Sequence, residues 1–457
     1  MPLPRGPRGH LLVGNLPALR RDLLGFLRQS AQTYGDLVPI RYGPRLVLLL
    51  SHPDLIEEVL VKRARAFKKS RLAQLLRPVL GDGLFLSEGS FWLRQRRLVQ
   101  PAFHRARIAA YADVMVAYAE RMASAWRGGQ EVDAHAEMMR VTQEIVVKTL
   151  FDVEAQDGDA MRVGDALLTI LEDFSARRRS LVSLPDWVPS PGNVRARRAI
   201  ATLDAVVLRI VSERRKSSED RGDLLSMLLA ARDVDDGAGM SDQQVRDEVM
   251  TLFLAGHETT AVALSWTWFL LAQAPEVEAA LHEELERVLG ERAPTLADLP
   301  RLPTVERILL ESMRLYPPAF TTSREVVTPT EVGGHELRPG TNILMSQWVV
   351  HHDPRWFPDP DVFRPERWAD GLLERLPKYA YFPFGGGPRV CVGTAFANME
   401  AALVLATIAR RFRLRLAPNA KVEARPYVTL RPHPGLPMVL EARRAPERHE
   451  SDRLRST

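Results

Sequence analysis

Apolar residues along the chain fall into two spacings, and the boundaries between them predict the elements. Near residue 50 the run "RYGPRLVLLLS" joins a turn signal to a short continuous apolar stretch, the pattern of a buried strand, so a small sheet is expected to begin there. From about Phe103 to Arg232 the spacing is helical, as in "YADVMVAYAERMASAW" and "AIATLDAVVLRIVSERR". The helical pattern breaks at residues 183–193, "SLPDWVPSPGN", whose three prolines forbid a continuous helix and predict a surface connection. The longest periodic segment is 241–274, where Ser241 and Gln244 make a capping box, and it predicts one helix of about 30 residues. Val249 to Ala274 is apolar enough to suggest a membrane span, but Glu258 in mid-segment would cost roughly 2.5–3.5 kcal/mol there. A buried helix crossing a large core is therefore expected. Helices continue to about Tyr316, "SREVVTPTEVGGHELRPGTNILMS" reads as strands and turns, and "AFANMEAALVLATIARRF" reads as a last helix. The expected fold is mainly α with a minor β portion. With no internal repeat and no long linker, residues 1–442 are expected to form a single domain and 443–457, of alternating charge, a frayed tail.

Composition narrows the class. At 46% hydrophobic and 26% charged, the 457 residues have the balance of a globular protein. The net charge of +5 is a small excess of 62 basic over 57 acidic residues, and no aromatic residues interleave with basic runs. Nucleic acid is therefore not an expected partner, whereas an acidic protein is compatible with this balance. The start, "MPLPRGPRGHLLVGNLPALRRD", lacks the apolar core of a signal peptide or anchor, so a cytoplasmic protein without a membrane anchor is expected. The single cysteine, Cys391, excludes an internal disulfide framework, a four-thiolate zinc site and a multi-thiolate iron–sulfur cluster.

Cys391 sits in "FPFGGGPRVCVG", residues 382–393. A lone cysteine is by itself a buried inert residue. Here glycines at 385, 386, 387 and 393 leave the backbone bare enough for a tight loop and the close approach of something flat. A helix expected to begin at about the cysteine would favour a thiolate. The loop lacks the Lys-Ser/Thr of a phosphate loop and fits a dinucleotide fingerprint poorly, and a nucleophilic role would need a histidine base that sequence does not place.

"FGGGPRVCVG" resembles the heme-binding loop of the cytochrome P450 superfamily. The resemblance implies that Cys391 is the axial thiolate ligand of heme b, a ligand that favours O–O cleavage. It further implies that Phe384 packs beside the sulfur and that Arg389 meets a heme propionate. Three further motifs agree in order. In "LFLAGHETTAV", a zinc-protease reading fails because Ala261 stands where a second histidine is needed; the local alternatives are a core helix with satisfied polar groups or a ladder loosened by a threonine hydroxyl. By resemblance Thr259 positions dioxygen and Glu258 relays protons. "ERILLESMRLYPP" and "FRPERW" match the family's structural Glu-Arg-Arg triad at Glu311, Arg314 and Arg367, with Trp368 in place of the usual Phe. "FWLRQRRL" matches its Trp-x-x-x-Arg, so Trp92 and Arg96, with Arg324 of "SREVV", are implied propionate donors. Arg94 and Arg97 read either as a solvated basic face or as a docking site for an acidic electron donor.

The resemblance, over about residues 10–442, implies the P450 fold and a heme-thiolate monooxygenase inserting one atom of O2 into an apolar substrate such as a fatty acid, terpenoid, steroid or polyketide. The implied pocket includes Leu84, Phe85, Ala255, Ala319 and Phe320. Electrons are expected from a separate ferredoxin or flavodoxin-type donor with its NAD(P)H reductase, to a monomeric enzyme. The alternatives are a peroxide-using or isomerising heme-thiolate enzyme, or a heme sensor.

Overall fold

The computed structural model describes residues 3–43, 45–152, five positions between 162 and 173, 188–217 and 221–443. The apolar run at residue 50 forms the strand Arg45–Leu50, paired antiparallel with Leu37–Tyr42. The sheet continues through Asn342–Met345, parallel to Arg45–Leu50, then antiparallel to Thr322–Val326 and finally Phe67–Lys69. Strands distant in sequence are thus neighbours, and Lys69 stands directly across from Arg324.

The capping box behaves as its residues predict: the Ser241 hydroxyl accepts from the Gln244 N–H at 3.2 Å, and the Gln244 amide oxygen accepts from the Ser241 N–H at 2.8 Å. It starts a central helix, Asp242–Leu271, of 30 residues. Apolar residues cover this helix on nearly every side, as expected for a helix through the core rather than across a bilayer. None of the described helices is long and apolar enough to cross a membrane. Gly256 admits the helix Ala134–Phe151 at close range, since an added Cβ would stand 3.2 Å from Val146 Cγ2. The Thr142 hydroxyl ties the two by donating to the His257 carbonyl at 3.0 Å.

The last helix runs Thr394–Arg411, with Gly393 at its N-cap. It begins three residues after Cys391, not at the cysteine, because Gly393 and the turn before it interrupt the helical backbone. Of the expected break at 183–193, residues 183–187 lie outside the described ones, 188–190 are non-helical, and the helix Pro191–Ser217 begins within its last three positions. At the C-terminal end Arg443 is anchored: its N–H donates to the Arg411 carbonyl at 2.9 Å and its guanidinium to the Arg410 carbonyl at 3.1 Å. The expected frayed segment therefore does not include Arg443, and residues 444–457 lie outside the described ones.

Candidate active site

The cysteine loop is closed by the Cys391 N–H donating to the Phe384 carbonyl at 3.0 Å, and the Thr394 hydroxyl donates to the Cys391 carbonyl at 3.0 Å. Gly387 sits at φ +65°, and a Cβ there would collide with the Leu60 carbonyl, so glycine is what lets the loop lie against the segment at Leu60. Cys391 is exposed. Neighbouring protein atoms push its thiol pKa up; the Gly393 N–H, the Thr394 hydroxyl and the Arg96 charge oppose this.

On the central helix, Ala255 is exposed and Gly256 and Thr259 are half-exposed between turns that are buried, so this stretch faces an internal space. The Thr259 hydroxyl donates to the Ala255 carbonyl at 2.7 Å, the back-bonding its residue type allows. Glu258 turns the other way. One of its carboxylate oxygens accepts from the Thr429 hydroxyl at 2.6 Å and from Arg431 at 2.9 and 2.7 Å. Thr260, one residue past Thr259, spends its hydroxyl on the Gly256 carbonyl beside the buried Glu400 of the last helix.

Arg389 donates to the Ser87 carbonyl at 2.9 Å, pairs with Glu88 and lies over the Trp92 ring at 4.4 Å. The buried Arg324 is held down to about 10 by desolvation and by Arg389. Lys69, beside both, lies far below the usual lysine range for the same reasons, with its Nζ 4.3 Å from the Phe85 ring centre. Lys69, Arg324 and Arg389 thus share one carboxylate, Glu88. Neither Lys69 nor Glu88 was expected from sequence, because only the pairing of Phe67–Lys69 with Thr322–Val326 brings them to Arg324. Arg96 instead donates to the Val390 carbonyl at 2.8 Å and to Gln100 at 3.2 Å, on the cysteine loop's flank.

Glu311 is fully buried and accepts from five donors: Arg314 twice at 2.8 Å, Arg367 at 2.8 Å, the Arg364 N–H at 3.0 Å and the Trp368 indole at 2.9 Å. Trp368 is therefore a polar partner of the triad as well as a large apolar side chain. Two expectations are corrected. Arg94 and Arg97 are not a face of free cations: the buried Asp233 carboxylate lies 3.3 Å from each, and Asp235 lies 2.7 Å from Arg97, which stays exposed beside it. Phe320 does not line the pocket; it is buried in a core cluster with Leu24 and Leu430. Leu84 is also buried, its N–H donating to Glu248 at 3.0 Å, whereas Phe85 is exposed and Ala319 half-buried.

The chain matches the cytochrome P450 family over residues 4–436. It belongs to that family. It is 41% identical to cyclooctatin synthase of Streptomyces melanosporofaciens over 96% of this chain and 95% of that protein. It is 38% identical to cyclooctat-9-en-7-ol 5-monooxygenase of the same organism, covering 94% of each, and 34% identical to pentalenene oxygenase of Streptomyces avermitilis, covering 90% and 91%. The fold superposes on the crystal structure of the cytochrome P450DA heme domain with a TM-score of 0.87 at 28% identity, over 97% of this chain and 98% of that one. The P450 fold expected from sequence is thus observed, and this P450 is a heme-iron monooxygenase of apolar substrates that depends on redox partners.

Proposed function

We propose that this P450, a single cytoplasmic domain acting as a monomer, binds heme b between the central helix and the last helix and hydroxylates a cyclic terpenoid. The observation that carries the site assignment is the crowding of Lys69, Arg324 and Arg389 around one carboxylate. Like charges facing each other across strands repel, and two propionates are the anions that would relieve them. Trp92, under Arg389, would flank the same propionate. Arg96 is assigned instead to the Val390 carbonyl of the cysteine loop and, at longer range, to the charge of the sulfur. The exposed Cys391 sulfur would hold the heme iron, with the Phe384 carbonyl closing the loop behind it.

Bound heme supplies dioxygen binding and activation with two electrons from outside. The chain's own residues do the rest. Ala255 and Gly256 would leave room beside bound heme, and Thr259 would present there a hydroxyl that the Ala255 carbonyl fixes. Glu258 supplies protons by exchanging its contacts with Arg431, whose partial exposure connects it to solvent. Two relatives whose names specify cyclic terpenoids, cyclooctat-9-en-7-ol and pentalenene, support the substrate class. The electron donor is proposed to be a ferredoxin or flavodoxin-type protein.

The test is the carbon monoxide difference spectrum of the dithionite-reduced protein. A strongly red-shifted Soret band in the wild type, absent in heme-loaded Cys391→Ser, is expected. A band unaffected by the substitution would overturn the ligand assignment.

A further inference from the structure

The first 50 residues hold seven arginines and two aspartates, an excess equal to the +5 of the entire chain, so the rest of the sequence is balanced. Both acids are engaged: Asp22 accepts the Gly25 N–H at 2.9 Å, and Asp36 pairs with Arg355 at 2.6 Å. Arg5, Arg8, Arg41 and Arg45 are exposed and form no ion pair with a described residue.

Within this basic segment, Leu11 and Leu12 are the most exposed large apolar residues described, at 105% and 88%. They do not belong to a frayed end. They cap a turn closed by two hydrogen bonds between His10 and Gly14, each 2.9 Å. The turn is clamped to the first strand: the Asn15 N–H donates to the Arg41 carbonyl at 2.7 Å, the Asn15 side chain accepts from the Arg41 N–H at 2.9 Å, and the Gly43 N–H donates to the Val13 carbonyl at 3.2 Å. The clamp brings the leucine pair to the hairpin turn bearing Arg41, Tyr42 and Arg45, and Tyr42 is also exposed.

We propose that this turn is a peripheral docking point for an anionic lipid bilayer, with Leu11 and Leu12 entering the headgroup boundary and Arg8, Arg41 and Arg45 meeting lipid phosphates. Two apolar side chains held rigidly at a tip, ringed by unpaired cations, are the chemistry of interfacial attachment, where a shallow apolar insertion and attraction to anionic lipid act together. Neither alone holds a protein at a membrane, so attachment is reversible and falls as salt screens the arginines. The surface would place the enzyme where an apolar substrate dissolves.

The measurement is co-sedimentation of the heme-loaded enzyme with vesicles of phosphatidylcholine containing phosphatidylglycerol, compared with phosphatidylcholine alone. The wild type is expected to bind the anionic vesicles and to be released by salt. The double variant Leu11→Gln/Leu12→Gln is expected to lose about tenfold in partitioning, as removal of two inserted side chains implies, with its carbon monoxide spectrum unchanged. Arg41→Gln/Arg45→Gln should lose the preference for anionic lipid. Failure of the wild type to bind, or equal binding by the leucine variant, overturns the proposal. So does a crosslink from this turn to an acidic electron-donor protein that vesicles fail to displace. Sedimentation reads binding without turnover, so none of these outcomes depends on the proposed substrate.

Discussion

At the scale of single residues, Lys69 separates what the chain does for its own fold from what it does for its ligand. Its charge faces Arg324 across a strand pair, with Arg389 adding to the field, and burial pushes its pKa far below the usual range. In the protein without heme the side chain is a liability; opposite a propionate it would become an anchor. Lys69→Met is therefore expected to act in opposite directions on two measurements. The melting temperature of the heme-free protein should rise or stay constant, since removing one of two facing like charges is worth about 0.2–1 kcal/mol. Heme retention, followed by transfer to apomyoglobin, should weaken about tenfold, equivalent to ~1.4 kcal/mol. A variant that melts lower without heme yet retains heme as well as the wild type would show that Lys69 serves the fold alone. Trp368 makes the complementary case. Its indole is one of five donors to a fully buried carboxylate, so Trp368→Phe should cost about 1–3 kcal/mol of stability through the group left short of a partner. Denaturant unfolding of the holoprotein checks this; a loss near zero would mean that the other four donors suffice.

Among elements, the helices were the most legible in sequence and the side-chain neighbours between them the least. The 30-residue central helix follows from its period and cap, which are local properties of Ser241 and Gln244. Thr259, Cys391 and the Glu311 triad were legible because each motif has short internal spacing or a recognisable order. The Lys69–Arg324 pairing and the neutralisation of Arg94 and Arg97 by Asp233 depend on strand register and on a loop more than 130 residues away, and no local pattern encodes them. Glu400 is a further case: a charged residue in a helical period reads as a solvated face, yet the packing of the last helix on the central one buries it completely. Burial pushes its carboxyl up to about 8, and Glu248 on the central helix is likewise pushed up to about 8. These groups hold protons in the folded state that the unfolded chain releases near its ordinary carboxylate range, around 4.5. Their contribution is complete below that value and is lost as pH rises to about 8. His135 and His352 act in the opposite sense: held down to about 4, they stabilise above the ordinary histidine range and cost stability as pH falls through 4. Between about pH 4 and 6.5 the two sets oppose each other, so the melting temperature is expected to decline from about pH 6.5, above which the histidines no longer titrate in either state, to about pH 8, with a shallower slope in Glu400→Gln. An identical slope in the variant would place the proton elsewhere.

For the whole molecule, the decisive feature is where charge remains after the ion pairs are assigned. With Arg94 and Arg97 taken up by Asp233 and Asp235, the cations near the cysteine loop lie on its two flanks. On one side Gly387 packs against Leu60 and Val61, which leads to the exposed Arg63 and Arg65; on the other, a Cβ added at Gly393 would stand 3.7 Å from the Phe103 ring, which leads to the exposed Arg105 and Arg107. None of these four arginines pairs with an acid among the described residues. An acidic electron donor approaching the thiolate side would meet all four, and its encounter would be steered rather than random. Arg105→Glu/Arg107→Glu should therefore slow reduction by an acidic ferredoxin by about tenfold or more at low ionic strength, with the difference from wild type shrinking as the Debye length falls to about 8 Å at physiological salt. Turnover supported by peroxide, which needs no donor, should be unchanged, and so should the carbon monoxide spectrum, because both arginines are exposed and lie outside the heme site. A loss of peroxide-supported turnover would mean that the substitutions had disturbed the site itself. A reduction rate indifferent to charge reversal and to salt would place the donor on another face, and the arginines flanking the loop would then owe their exposure to solubility alone.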